Sequence, residues 1–69
     1  MQCYEYEVLC RWMGARMRSL GANVRDHDIS VSGALIEAKI TSVVDILHLS
    51  DSDIEVLAQR HCSLPATAA

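Results

Sequence analysis

The 69-residue chain has no uninterrupted apolar run near the ~18 residues that a membrane span requires. Its opening Met-Gln-Cys-Tyr-Glu lacks the basic flank and apolar core of a secretory signal. A soluble, intracellular and cytoplasmic protein with no membrane insertion is therefore expected. Positive charge is also in deficit: six Lys and Arg stand against nine Asp and Glu, for a net charge of -3 at pH 7. That balance excludes a polybasic arm drawn to phosphate backbones. No CxxC, HxxxH or comparable ligand spacing connects Cys3, Cys10 and Cys62 with His27, His48 and His61, so neither a metal nor a cofactor is expected. If Cys3 and Cys10 share a helix they lie about 10 Å apart along its axis, outside the reach of a disulfide. The thiols then read as reduced, small packing residues.

Half of the chain is hydrophobic, at 51%, and only 22% is charged, which excludes a disordered acidic tail. One helical domain is expected over residues 1–62, followed by a flexible tail over 63–69 that contains the breaker Pro65 and then small residues. A chain of this size buries only ~60% of its surface on folding. Without a disulfide or metal staple, the question is where so much apolar surface goes. Charge is unevenly spread: residues 1–25 carry four arginines against Glu5 and Glu7, net +2, whereas residues 26–69 set Lys39 and Arg60 against seven acids, net -5.

Residues 3–20 carry the clearest helical pattern. Glu5 and Glu7 lie in the first turns, Arg16 and Arg18 in the last, and Gly21 supplies a stop. On a helical wheel Cys3, Tyr6, Leu9, Cys10, Met13, Met17 and Leu20 form one broad stripe, and Tyr4, Val8, Trp12 and Ala15 form a second apolar arc. One core needs only the first. Residues 21–28 read as a loop, including the polar Arg25-Asp26-His27-Asp28 run.

The next segment supports two templates. Alternation over Ala34–Ile40 fits a strand, with Ser32-Gly33 turning a hairpin back to Ile29 and Val31; this is the α+β alternative, a short hairpin at 28–41. That register sets Asp28 against Glu37, and the alternation fails after Thr41. A helix over about Ser32–Leu49 is preferred, with Ile36, Ile40, Val43, Val44 and Leu47 on an apolar face and Glu37, Thr41, Asp45 and His48 on a polar stripe. Ser50 then caps a last helix that runs to about His61. The fold class expected is all-α: a small three-helix or helix-plus-helical-hairpin domain, assembled as a dimer.

Catalysis finds little support. Sequence neighbours such as Asp26-His27-Asp28 or His61-Cys62 seldom face one another, and no nucleophile motif accompanies them. The chain is not expected to be an enzyme. A helix-turn-helix over about Ala34–His61, the regulator alternative, would present Asp51, Asp53 and Glu55 to DNA and repel it. The only basic alternative is Arg11 and Arg18 on one face of the first helix, with Arg16 and Arg25 as further phosphate contacts, so nucleic acid is a poor partner. Protein contact is the expectation that survives. Tyr4, Val8, Trp12, Met13 and Met17 are candidate anchors for a partner or a homodimer, while Asp45, Asp51, Asp53 and Glu55 form a candidate acidic surface for a basic partner. Such a chain suits a non-catalytic modulator or inhibitor of another protein, in the style of a phage or mobile-element protein acting on a host regulator such as a transcription factor.

Overall fold

The structure, a computed structural model, describes residues 3–62, with side chains from Glu5 onward. Among these residues there are four helices and no strand: α1 (Cys3–Ser19), α2 (Ile29–Glu37), α3 (Val43–His48) and α4 (Asp51–His61). The all-helical class is as expected, and the hairpin over 28–41 is replaced by helix. The residues expected to form a flexible tail, 63–69, lie outside the described ones.

Helix α1 is the central element, because it packs against each of the other three. Its stripe of Leu9, Cys10, Met13 and Met17 is fully covered by Val31, Ala34 and Leu35 of α2, Ile46 of α3, and Ile54, Leu57 and Ala58 of α4, together with Ala22 and Val24 from the loop. Gly21 ends the helix as its sequence suggests. With φ at 97° it donates its N–H to the Arg18 carbonyl while Ala22 donates to that of Met17, at 3.0 and 3.1 Å. A left-handed residue of this kind turns the chain back and closes the last carbonyls.

The single helix expected over 32–49 is in fact two helices, and α2 starts three residues early. Asp28 is its N-cap: the carboxylate accepts from the Ser30 backbone N–H at 3.2 Å and from the Ser30 hydroxyl at 2.9 Å. The helix stops at Glu37 because Lys39 adopts φ 55°, with Lys39 donating to the Ile36 carbonyl and Ile40 to that of Leu35. A separate helix start comes next in the chain. The Asp45 carboxylate accepts from the Thr41 N–H, the Thr41 hydroxyl and the Ser42 N–H at 2.9, 2.9 and 3.2 Å, so α3 begins at Val43. Ile40, Thr41, Val43 and Val44 are β-branched and weak helix formers, and the local bonds to Asp45 outweigh continuation.

The interruption over residues 38–42 resets the helical phase. Ile36, Val44 and Leu47, on one apolar face of the expected continuous helix, all end up exposed, whereas Ile40 and Ile46 are buried. The same joint falls within residues 34–61, the span of the helix-turn-helix alternative. Helix α4 is as expected: Ser50 Oγ accepts from the Asp53 N–H at 3.1 Å, and Asp53 reaches back to the Ser50 N–H.

Two polar contacts lock the layers. Arg16 of α1 donates to the carbonyls of Ile46 and Leu49, each at 2.9 Å, and to Asp51 at 3.1 Å, which ties α1 to the α3–α4 corner. At the other side His61 Nε2 donates to Glu37 at 2.8 Å and Arg60 donates to the same carboxylate at 2.7 Å, joining the ends of α2 and α4. The His61 ring lies directly over Gly33, where a Cβ would meet Nδ1 at 2.7 Å. Close approach, rather than backbone freedom, is what this glycine provides.

These carboxylates set the response to acid. The hydrogen bond from His61 holds the Glu37 carboxyl below its ordinary 4.5, and backbone and hydroxyl bonds from Ser30 and Thr41 hold Asp28 and Asp45 below 3.8. A folded-state value below the unfolded one contributes stability that is fully present above the ordinary carboxylate value and is lost as pH falls through the folded value. The melting temperature, followed by circular dichroism, is therefore expected to be level above these ordinary values and to drop below them. In Glu37→Gln the part of that drop due to this group should vanish; an acid response identical to the parent's would show that the His61 contact does not hold in solution.

Candidate functional site

The core accounts for the first apolar arc of α1, and several large apolar side chains remain in solvent. Trp12 is 44% exposed on α1, Val44 and Leu47 of α3 are each more than half exposed, and Ile29 and Ile36 of α2 are 86% and 74% exposed. Scattered exposed leucines and valines are ordinary on a protein surface. Two isoleucines seven residues apart on one short helix, both in solvent, are less so.

Of the candidate anchors on α1, the side chain of Tyr4 lies outside the described residues. Val8 is half-buried and Trp12 exposed, consistent with a second apolar arc. Met13 and Met17 are corrected: both are fully buried in the protomer, because their positions one turn apart face α2, α3 and α4, and no partner can touch them. Tyr6, placed on the core stripe, lies at its edge, with its hydroxyl hydrogen-bonded to Ser32 of α2. Trp12 precedes by one turn Arg16, which bonds the end of α3.

The acidic candidates divide. The Asp45 carboxylate accepts from Thr41 and Ser42 as described above and keeps its charge at the start of α3. Asp53 serves the α4 cap and Asp51 pairs with Arg16, yet both remain exposed, as does Glu55. Their charge still faces solvent at the start of α4, directly after the exposed Val44 and Leu47 of α3.

The basic candidates are less available than their spacing suggests. Arg18 donates to the Val24 carbonyl at 3.0 Å and to Asp26 at 2.8 Å, and Arg16 is spent on the α3–α4 corner. Arg11 is exposed and makes no ion pair among the described residues. The Asp26-His27-Asp28 run is dispersed: Asp26 faces Arg18, His27 lies 3.6 Å from Glu7, and Asp28 caps α2. Cys10 and Cys62 are free thiols, and burial pushes the Cys10 thiol up.

The depressions on this surface are open and shallow. One of about 230 Å³ runs between α1 and the end of α2 and has an almost wholly apolar wall of Tyr6, Leu9, Leu35, Ile36 and Ile40, with Lys39 and Thr41 at its rim. A second, of about 270 Å³, surrounds Ile29 and takes in Tyr6, Cys10, His27, Asp28 and Ser32. Ile29 and Ile36 were the functional candidates that sequence reasoning passed over. Recognising Asp28 as an N-cap would have put both on one helix face, opposite Val31, Ala34 and Leu35. No family model matches the chain, and comparison with curated proteins and with solved structures likewise gives no match.

Proposed function

We propose that this protein acts by non-catalytic contact with another protein, whose activity it modulates or inhibits. The observation that carries this reading is the set of large apolar side chains left in solvent after the core is complete, Trp12, Val44 and Leu47 among them. Aromatic and aliphatic anchors surrounded by polar groups are the usual energetic centre of a protein interface. Asp51, Asp53 and Glu55 come directly after α3 and supply an acidic rim. The partner that suits this corner has an apolar cleft edged by Lys or Arg. Attraction between those charges speeds association and weakens with salt. The DNA-regulator reading loses ground because Arg16 and Arg18 already hold partners within the chain.

Immobilised protein exposed to lysate of the source cells tests this. A retained protein is expected whose binding weakens by about 30-fold or more in Trp12→Ala or in the Val44→Ser, Leu47→Ser double variant, as for an interface anchor. Retention indifferent to all of these would sink the assignment. So would a steeply salt-dependent complex with duplex DNA that is lost in Arg11→Ala.

A further inference from the structure

The outer face of α2 carries two features that fit each other. At its start Ile29 projects into solvent as a knob, 86% exposed. At its end lies the apolar groove of about 230 Å³ lined by Tyr6, Leu9, Leu35, Ile36 and Ile40. Seven residues of helix separate Ile29 from Ile36, about 10 Å along the axis. Ser32 lies midway and holds the Tyr6 hydroxyl.

We infer that this face binds a second copy of the same chain, with the two α2 helices antiparallel and a two-fold axis beside Ser32. In that arrangement a single rotation brings each Ile29 to the groove of the other copy, so that both knobs and both grooves are filled at once. A two-fold interface is self-complementary in this way by construction. An unrelated partner has to supply a knob and a groove in reverse order and at the same separation. Charge selects the same orientation. Lys39, at the groove rim, has no ion pair among the described residues, while the knob end carries the carboxylates of Glu7 and Asp28. Antiparallel pairing places Lys39 of one copy near those carboxylates of the other, whereas parallel pairing sets Lys39 against Lys39.

The contact surface differs from that expected on α1. Met13 and Met17 are core residues, and Trp12 lies on α1 one turn before Arg16, which bonds the end of α3. Dimerisation through α2 therefore leaves the Trp12, Val44 and Leu47 corner open to a different partner. The inference shares with the functional proposal only the reading of exposed apolar faces as contact surfaces. One nine-residue helix pair covers less than the roughly 800 Å² per partner of a standard interface, so the dimer is a weak, concentration-dependent one.

Sedimentation equilibrium of the full chain from about 5 µM to about 1 mM, a range suited to so small an interface, provides the test. A monomer–dimer equilibrium is expected, weakened at least tenfold by Ile29→Glu and unaltered by Trp12→Ala. Ile29 is exposed and occupies the first turn of α2, where a carboxylate is favourable, so the variant keeps its fold, which circular dichroism verifies. Lys39→Glu should weaken the dimer, and Glu7→Lys added to it should restore the association. A monomer at every concentration overturns the inference, as does a dimer that ignores Ile29→Glu or a charge reversal that the second change fails to rescue. A monomeric chain that still captures an outside protein through Trp12 would separate this failure from that of the functional proposal.

Discussion

Replacing Arg16 by alanine is expected to lower the unfolding free energy by about 2–3 kcal/mol, the scale of a few charge-assisted hydrogen bonds. The guanidinium bonds the carbonyls of Ile46 and Leu49 and the carboxylate of Asp51 from a side chain that is largely covered. Those carbonyls lie at the end of α3, a helix of six residues whose only backbone closure there is the Leu49 N–H on the Ile46 carbonyl. Arg16→Lys should recover only part of the loss, because a single ammonium cannot reproduce the planar fork that spans both carbonyls. Urea denaturation followed by circular dichroism reads both values. An unchanged midpoint in Arg16→Ala would mean that water replaces the guanidinium without cost. The total stability of a chain below ~70 residues rarely exceeds about 3–5 kcal/mol, so the alanine variant should keep at most about 0–3 kcal/mol.

Ile46→Ala is expected to cost about 2–5 kcal/mol, the range for emptying a fully buried aliphatic position. Ile46 is the one fully buried side chain of α3 and packs into the cluster around α1. Six residues are far too few for an isolated helix, since nucleation is unfavourable and short helices rely on tertiary packing. The loss should therefore release α3 from α1 as well as open a cavity. Val44→Ser and Leu47→Ser on the same helix provide the contrast. Both side chains are more than half exposed, and each change is expected within about 0.5 kcal/mol of the parent. Equal losses at all three positions would show that α3 is packed in a different rotation. The two serine variants are also those that probe partner binding, so their retained stability makes a loss of binding interpretable.

Much of this fold was legible in the sequence. The α1 stripe, its Gly21 stop, the Ser50 cap and the extent of α4 each rest on interactions within a few residues, and local hydrogen bonding and helical period suffice to predict them. The surplus of apolar surface on α1 was legible for the same reason. The joint at residues 38–42 was not. Its signals, Thr41-Ser42 and then Asp45, were available, but a continuous helix from Ile36 to Leu47 matched the apolar period equally well. Lys39 hid the break further, because a lysine with φ 55° does not announce a left-handed turn as glycine does.

By itself, then, the sequence determined the all-helical class, the extent and core stripe of α1 and a surface richer in apolar residues than one core can absorb. Tertiary structure alone decided which residues those are. A continuous helix over residues 36–47 and the broken one both satisfy local rules, and the choice falls to packing: the break lets Ile40 and Ile46 enter the core together while Arg16 caps the end of α3 across a distance of 30 residues in the chain. The same choice turned Ile36, Val44 and Leu47 outward and consumed Met13 and Met17. Helical period fixes which residues share a face. Whether that face meets the core depends on contacts between elements far apart in sequence, which no local pattern encodes.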